Sequence, residues 1–92
     1  MAQFFAYEDL TVSTTSVGFT AATYGSANYA FVLVEGAPVR FRMDAGTPTS
    51  TSGTLLNVGD RIELQGTEEI ARVRFISKDG ASATLRAQFA VS

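Results

Sequence analysis

Along much of this chain apolar and polar residues alternate one by one, the period of a strand with one covered face. Val39, Phe41 and Met43 interleave with Arg40 and Arg42, and Ala83, Leu85, Ala87, Phe89 and Val91 interleave with Ser82, Thr84, Arg86, Gln88 and Ala90. Shorter stretches of the same kind occur at Leu10 to Ser13, Val17 to Thr23, Arg61 to Leu64 and Arg72 to Phe75. Tyr29 to Val34 is apolar throughout, as expected of a central strand covered on both faces. Glycine-bearing turns at Tyr24-Gly25-Ser26, Glu35-Gly36-Ala37-Pro38, Asn57-Val58-Gly59-Asp60, Gln65-Gly66-Thr67 and Lys78-Asp79-Gly80 separate these runs. The pattern predicts an all-β fold: a single small antiparallel β-sandwich, jelly-roll-like, with seven or eight strands.

Three segments break the alternation. Phe4 and Phe5 are adjacent, and in an extended segment they cannot both face one core, so residues 1–9 are expected to form an N-terminal arm ahead of a sandwich spanning residues 10–92. One phenylalanine would then meet a second surface, with Tyr7 beside it, or the segment folds irregularly under the sandwich edge. Thr67 to Ala71 offers a single helical turn, with Thr67 as cap and Glu68 and Glu69 at its positive end. Asp44 to Thr54 holds no large apolar residue and is expected to be a loop contributing little to the core.

Composition narrows the chemistry. Ninety-two residues close one core and bury roughly 60 to 65% of the unfolded surface, so assembly with other chains is an expected source of stability. The chain has no cysteine and no histidine, which removes disulfides, the usual zinc or haem ligands, and the side chain best suited to proton transfer near neutral pH. Glu8-Asp9 and Glu68-Glu69 are neighbours in sequence and would point to opposite faces of a strand, so neither pair makes a catalytic dyad. The abundant serines and threonines suit strands and turns. The chain is therefore expected not to be an enzyme, with no catalytic residues, no cofactor and no metal centre; a calcium site built on Asp44 and Asp60 is the conceivable exception. Net charge is −2 with seven scattered basic residues, so no nucleic-acid partner is expected. Neither a membrane span nor a signal peptide is visible, which points to synthesis in a cytoplasm.

Six of the seven cations are arginines, the residue favoured at interfaces because its planar fork meets carboxylates and stacks on rings. Arg40 and Arg42 share one strand face, and Arg72 and Arg74 another. They serve either cross-strand pairing with Glu63, Glu35 or other carboxylates on a solvent face, or contact with a partner.

From Leu10 to Phe89 the segments LTVSTTSVGFTAATY, VEGAPVRFRMDAGTPTSTSGTLLNVGDRIEL and IARVRFISKDGASATLRAQF follow an order of features that resembles small bacteriophage virion proteins. An arginine-bearing strand running into Asp44, Gly46, Thr47, Pro48, Thr49 and Gly53, then Leu55, Leu56, Gly59, Asp60 and Ile62, carries most of that likeness. The resemblance implies a β-sandwich of the capsid cement or decoration type. The expected partner is the major capsid protein, on the capsid surface of a virion assembled in the host cytoplasm, with the chain as a homo-dimer or homo-trimer. Candidate contact residues are Phe4, Phe5 and Tyr7 of the arm together with Arg40, Arg42, Asp44, Thr47, Pro48 and Thr49. The alternative is a tail or fibre module recognising host carbohydrate through Tyr7, Tyr24 or Tyr29.

Overall fold

A computed structural model describes residues 3–92. Seven strands and two short helices follow in the order β1 (Gln3–Val12), α1 (Ala21–Tyr24), β2 (Tyr29–Glu35), β3 (Val39–Arg42), β4 (Thr54–Leu56), β5 (Arg61–Gln65), α2 (Thr67–Arg72), β6 (Arg74–Ser77) and β7 (Ala83–Val91). A four-stranded antiparallel sheet has the order β1-β7-β2-β5, and a three-stranded antiparallel sheet the order β4-β3-β6. The chain is thus an all-β sandwich.

The alternation that defines each strand also fixes which side chains enter the core. In β7, Ala83, Leu85, Ala87 and Phe89 are fully buried, and they stand in register with the buried Val34, Val32 and Ala30 of β2. Val39, Phe41, Phe75 and Leu56 present the inner face of the smaller sheet to the same cluster. A file of rings joins the two layers: Phe41 to Phe75 at 6.1 Å, Phe75 to Phe19 at 5.4 Å, Phe19 to Phe89 at 5.3 Å, and Phe89 to Tyr24 at 6.0 Å. Phe19 comes from the connection between β1 and α1, so an irregular segment closes the sandwich. At Phe19, which meets Phe75 and Phe89 edge to face, a positive rim sits on a negative face, which adds to simple burial.

Several expectations change on contact with the structure. Val17 to Thr23 is not a strand: Val17 makes a lone bridge to Phe75, and the Thr20 carbonyl accepts from Thr23 and Tyr24 in a single helical turn. Glu8 of β1 accepts both the Thr20 N–H and hydroxyl, so a tertiary contact decides the local conformation there. The predicted helical turn is present as α2, but Gly66 occupies its cap position without a side-chain bond, and Thr67 is already helical. Arg72 ends α2 and pairs with Glu68 at 3.3 Å, so it does not share a strand face with Arg74. β3 stops at Arg42, leaving Met43 exposed.

Candidate interaction surfaces

Residues 3–9 form the first part of β1 and pair with β7 from Gln3↔Val91 to Asp9↔Arg86, continuous with Leu10 to Val12. The structure resolves the Phe4-Phe5 conflict with a β-bulge between Phe4 and Ala6. Beyond the bulge the parity of the strand reverses, so Phe4 stands on the outer face beside Ala90 and meets Tyr29 edge to face at 6.0 Å. Neither phenylalanine enters the core: Phe4, Phe5 and Tyr7 are 51%, 49% and 51% exposed.

β1 is also a sheet edge. The Val34 N–H donates to Asp60 O and the Gly66 N–H to Asn28 O, so even-numbered residues of β2 bond toward β5. Alternation then sends odd-numbered residues of β2 to β7 and odd-numbered residues of β7 to β1. Tyr7, Asp9 and Thr11 are left with N–H and C=O groups directed at the open edge, and no backbone partner for them exists among the described residues.

Of the other three edges, β6 is covered, β4 is short, and the five-residue β5 has only its Gln65 amide engaged. Phe75 exchanges backbone hydrogen bonds with Val17, and the Ser77 N–H donates to Ser13 O, which covers β6. β4 has three residues, and on β5 the Gln65 N–H is taken by Glu69. A long uncovered edge is normally avoided, because it is a ready template for another strand.

On the outer face of this sheet, Arg86 of β7 binds Asp9 of β1 at 3.0 Å and Glu35 of β2 at 2.9 Å, tying three strands together. The Tyr7 hydroxyl also donates to Asp9. That hydrogen bond and the one from Arg86 hold the Asp9 carboxyl below its ordinary value, and the same carboxylate raises the Tyr7 hydroxyl. Tyr29 is raised likewise by its bond to Glu63. Arg61 lies over the Phe31 ring at 6.0 Å.

The second surface lies on the smaller sheet. Arg40 and Arg42 do share its outer face, but neither pairs with Glu63 or Glu35. Arg40 donates to the carbonyls of Ser50 at 3.0 Å and Gly53 at 2.9 Å. Arg42 forms a two-pronged ion pair with Asp44, at 3.0 and 2.6 Å, and Asp44 also accepts the Gly46 N–H. Those bonds lower the Asp44 carboxyl to about 2 and raise Arg42.

Together the two guanidinium groups fold the 44–53 loop back onto the sheet. Pro48 is fully buried there, so the loop does supply one packed side chain. Gly53 has φ 129°, and a Cβ would meet Arg40, Phe41 and Pro48 at 3.2 to 3.3 Å, so the closed loop depends on glycine at this point. Thr47 to Ser50 face Thr14 to Ser16 and Ile76 to Gly80 across an open groove of about 770 Å³.

The structure therefore gathers Arg40, Arg42, Asp44, Thr47, Pro48 and Thr49 at one place and Phe4, Phe5 and Tyr7 at another. Thr14 to Ser16 follow the C-terminal end of β1, and the phenylalanines mark its N-terminal end, eight residues or roughly 26 Å away at the usual rise per strand residue. No sequence signal pairs Thr14 to Ser16 with Thr47 to Thr49; only the sandwich topology does.

Other candidates disperse. Glu8 turns to Thr20 and Asp9 to Arg86, while Glu68 and Glu69 serve α2 and its flank. Asp60 accepts the Asn57 N–H and Asp44 is engaged by Arg42, and no group of three or more potential metal ligands occurs among the described residues. Tyr24 is half-buried against the core at Phe89, whereas Tyr7 and Tyr29 stand on the outer face of the larger sheet. No helix among the described residues is long and apolar enough to cross a membrane. Comparisons with family models, curated proteins and solved structures return no match to the chain, and the two surfaces are therefore interpreted from their own chemistry.

Proposed function

We propose that the chain is a structural protein of a bacteriophage virion, a cement or decoration protein that binds the outer capsid surface and reinforces contacts between subunits of the major capsid protein. The observation that carries this proposal is the presence of two exposed, differently built surfaces at opposite ends of β1. A molecule that reinforces a lattice must hold two neighbours at once, and separated surfaces on a rigid sandwich do so. Joint engagement raises the effective concentration of each weak contact, so modest interfaces summed over many copies become durable. The aromatic end offers apolar area, worth about 25 cal/mol per Å² removed from water. The loop end offers carbonyls, hydroxyls and arginines already held in place, which lowers the ordering cost of binding.

Virions purified from the encoding source test this by quantitative mass spectrometry and cryo-electron microscopy. The expected result is a copy number matching a repeating site on the capsid exterior, with density for the 44–53 loop or the β1 aromatics against coat subunits. Absence from the particle overturns the proposal, and location at fibre tips only moves the chain to the carbohydrate-recognition alternative. Deleting residues before Leu10 is a poor probe, because it removes most of a core-paired strand; single substitutions at Phe4, Phe5 or Thr49 leave the fold in place.

A further inference from the structure

We infer that the open edge of β1 is the docking site for a second copy of this chain, paired antiparallel about a two-fold axis at Tyr7. A row of free strand N–H and C=O groups is complemented by another free strand edge. On a second copy the β6 edge is occupied by Ser13 and Val17, β4 is three residues long, and β5 has five residues against the ten of β1, with its Gln65 amide already taken by Glu69. The matching edge is β1 itself, and like edges meeting produce a closed, self-complementary pair.

Charge narrows the register, and burial of the exposed aromatic end of β1 decides among the rest. A two-fold axis at Glu8 sets the two Glu8 side chains face to face, and an axis at Asp9 does the same for Asp9; like charges directly opposite are destabilising. An axis at Tyr7 places Glu8 opposite Ala6 of the second copy and Asp9 opposite Phe5, and no acidic residue faces another. The same register draws Phe4, Phe5 and Tyr7 of both copies, each about half exposed, into one apolar band beside the new ladder. Two four-stranded sheets become one of eight strands. The 44–53 loops then lie at the far ends of the pair, where they are free to hold two coat subunits. That use of the dimer rests on the capsid proposal, whereas the pairing is a property of the chain alone.

Sedimentation of the purified chain over a concentration series is the test. The wild type is expected at twice the 9.8 kDa chain mass. Tyr7→Lys should associate at least about tenfold more weakly, and Val58→Lys, at an exposed turn outside β1, should leave association unchanged. The chain has no cysteine, so Tyr7→Cys should oxidise to a disulfide-linked pair while Val58→Cys does not.

Hydrogen exchange on the wild type guards against a variant that fails to fold: the Tyr7 and Asp9 amides should gain protection as concentration rises. A single-chain mass at every concentration, a Tyr7→Lys dimer as tight as wild type, or unprotected Tyr7 and Asp9 amides within a dimer would each overturn the inference. A monomer that still fills capsid sites would sink the pairing and spare the capsid proposal; a dimer missing from particles would do the reverse.

Discussion

The β1 edge and the 44–53 loop are both exposed, but they are held in place by opposite means. β1 is ordered by main-chain bonds to β7 along its length, and its free side repeats the same main-chain pattern outward. The loop has a single internal bridge, Thr49 to Ser52, and its position comes from side chains: Arg40 on two carbonyls, Arg42 on Asp44, and Pro48 buried beneath. An edge of the first kind tolerates changes in side chain and recognises a strand. A loop of the second kind stands or falls with two arginines, and it presents hydroxyls in a shape that the arginines impose.

The largest expected effect removes the frame that both regions share. Phe19→Ala deletes the ring joining Phe75 to Phe89 and should cost about 3 to 5 kcal/mol in chemical denaturation, loosening edge and loop together. Arg40→Ala separates them: loss of two charge-assisted bonds to carbonyls should cost about 2 kcal/mol, with faster amide exchange confined to residues 46–53 and β1 unaffected. Phe5→Ser acts on the other side, changing stability by less than about 0.5 kcal/mol while weakening self-association in sedimentation.

The smallest effect is one of pH. Because the Asp44 carboxyl is lowered from 3.8 to about 2 in the folded chain, its contribution is complete above the unfolded value and disappears as pH falls through the folded one. As pH falls through about 2 the Gly46 amide should lose its bond to Asp44 by NMR, and Asp44→Asn should abolish that transition. Asp44 also offsets Arg42, which stands directly opposite Arg74 in the β3–β6 pair. Acid should therefore leave two unbalanced cations facing each other on that sheet.

How far the fold could be read from the chain depends on where each residue's partners lie. β7 announces itself because burial on a sheet imprints a two-residue period, and β2 because its apolar run is unbroken, although only its even-numbered residues are fully buried and its other face is half-covered. The Phe4-Phe5 break was equally visible, but its cause was not: a bulge keeps residues 3–9 within the strand and turns both rings outward, where an arm ahead of the sandwich was expected. Thr20 to Tyr24 misled because threonine, alanine and tyrosine accept extended backbone readily, and only Glu8, twelve residues earlier, captures Thr20 in a turn. The candidate loop was legible as a loop, although Pro48, expected at its contact surface, is buried beneath it. Its closure was hidden, because the carbonyls of Ser50 and Gly53 leave no mark in a pattern of side-chain polarity. Arg72 shows a third limit, since one residue of shift at a helix end moved it off the strand face it was assigned to share.

The Gln3↔Val91 pairing sets the two ends of the fold side by side on adjacent antiparallel strands. Tension applied through those ends loads the β1–β7 ladder one rung at a time, as a zipper is opened, and never shears its hydrogen bonds in parallel. The sandwich is thus built to yield at low force when stretched end to end, with the Asp9–Arg86–Glu35 tie as the first point of resistance once the aromatic rungs have parted.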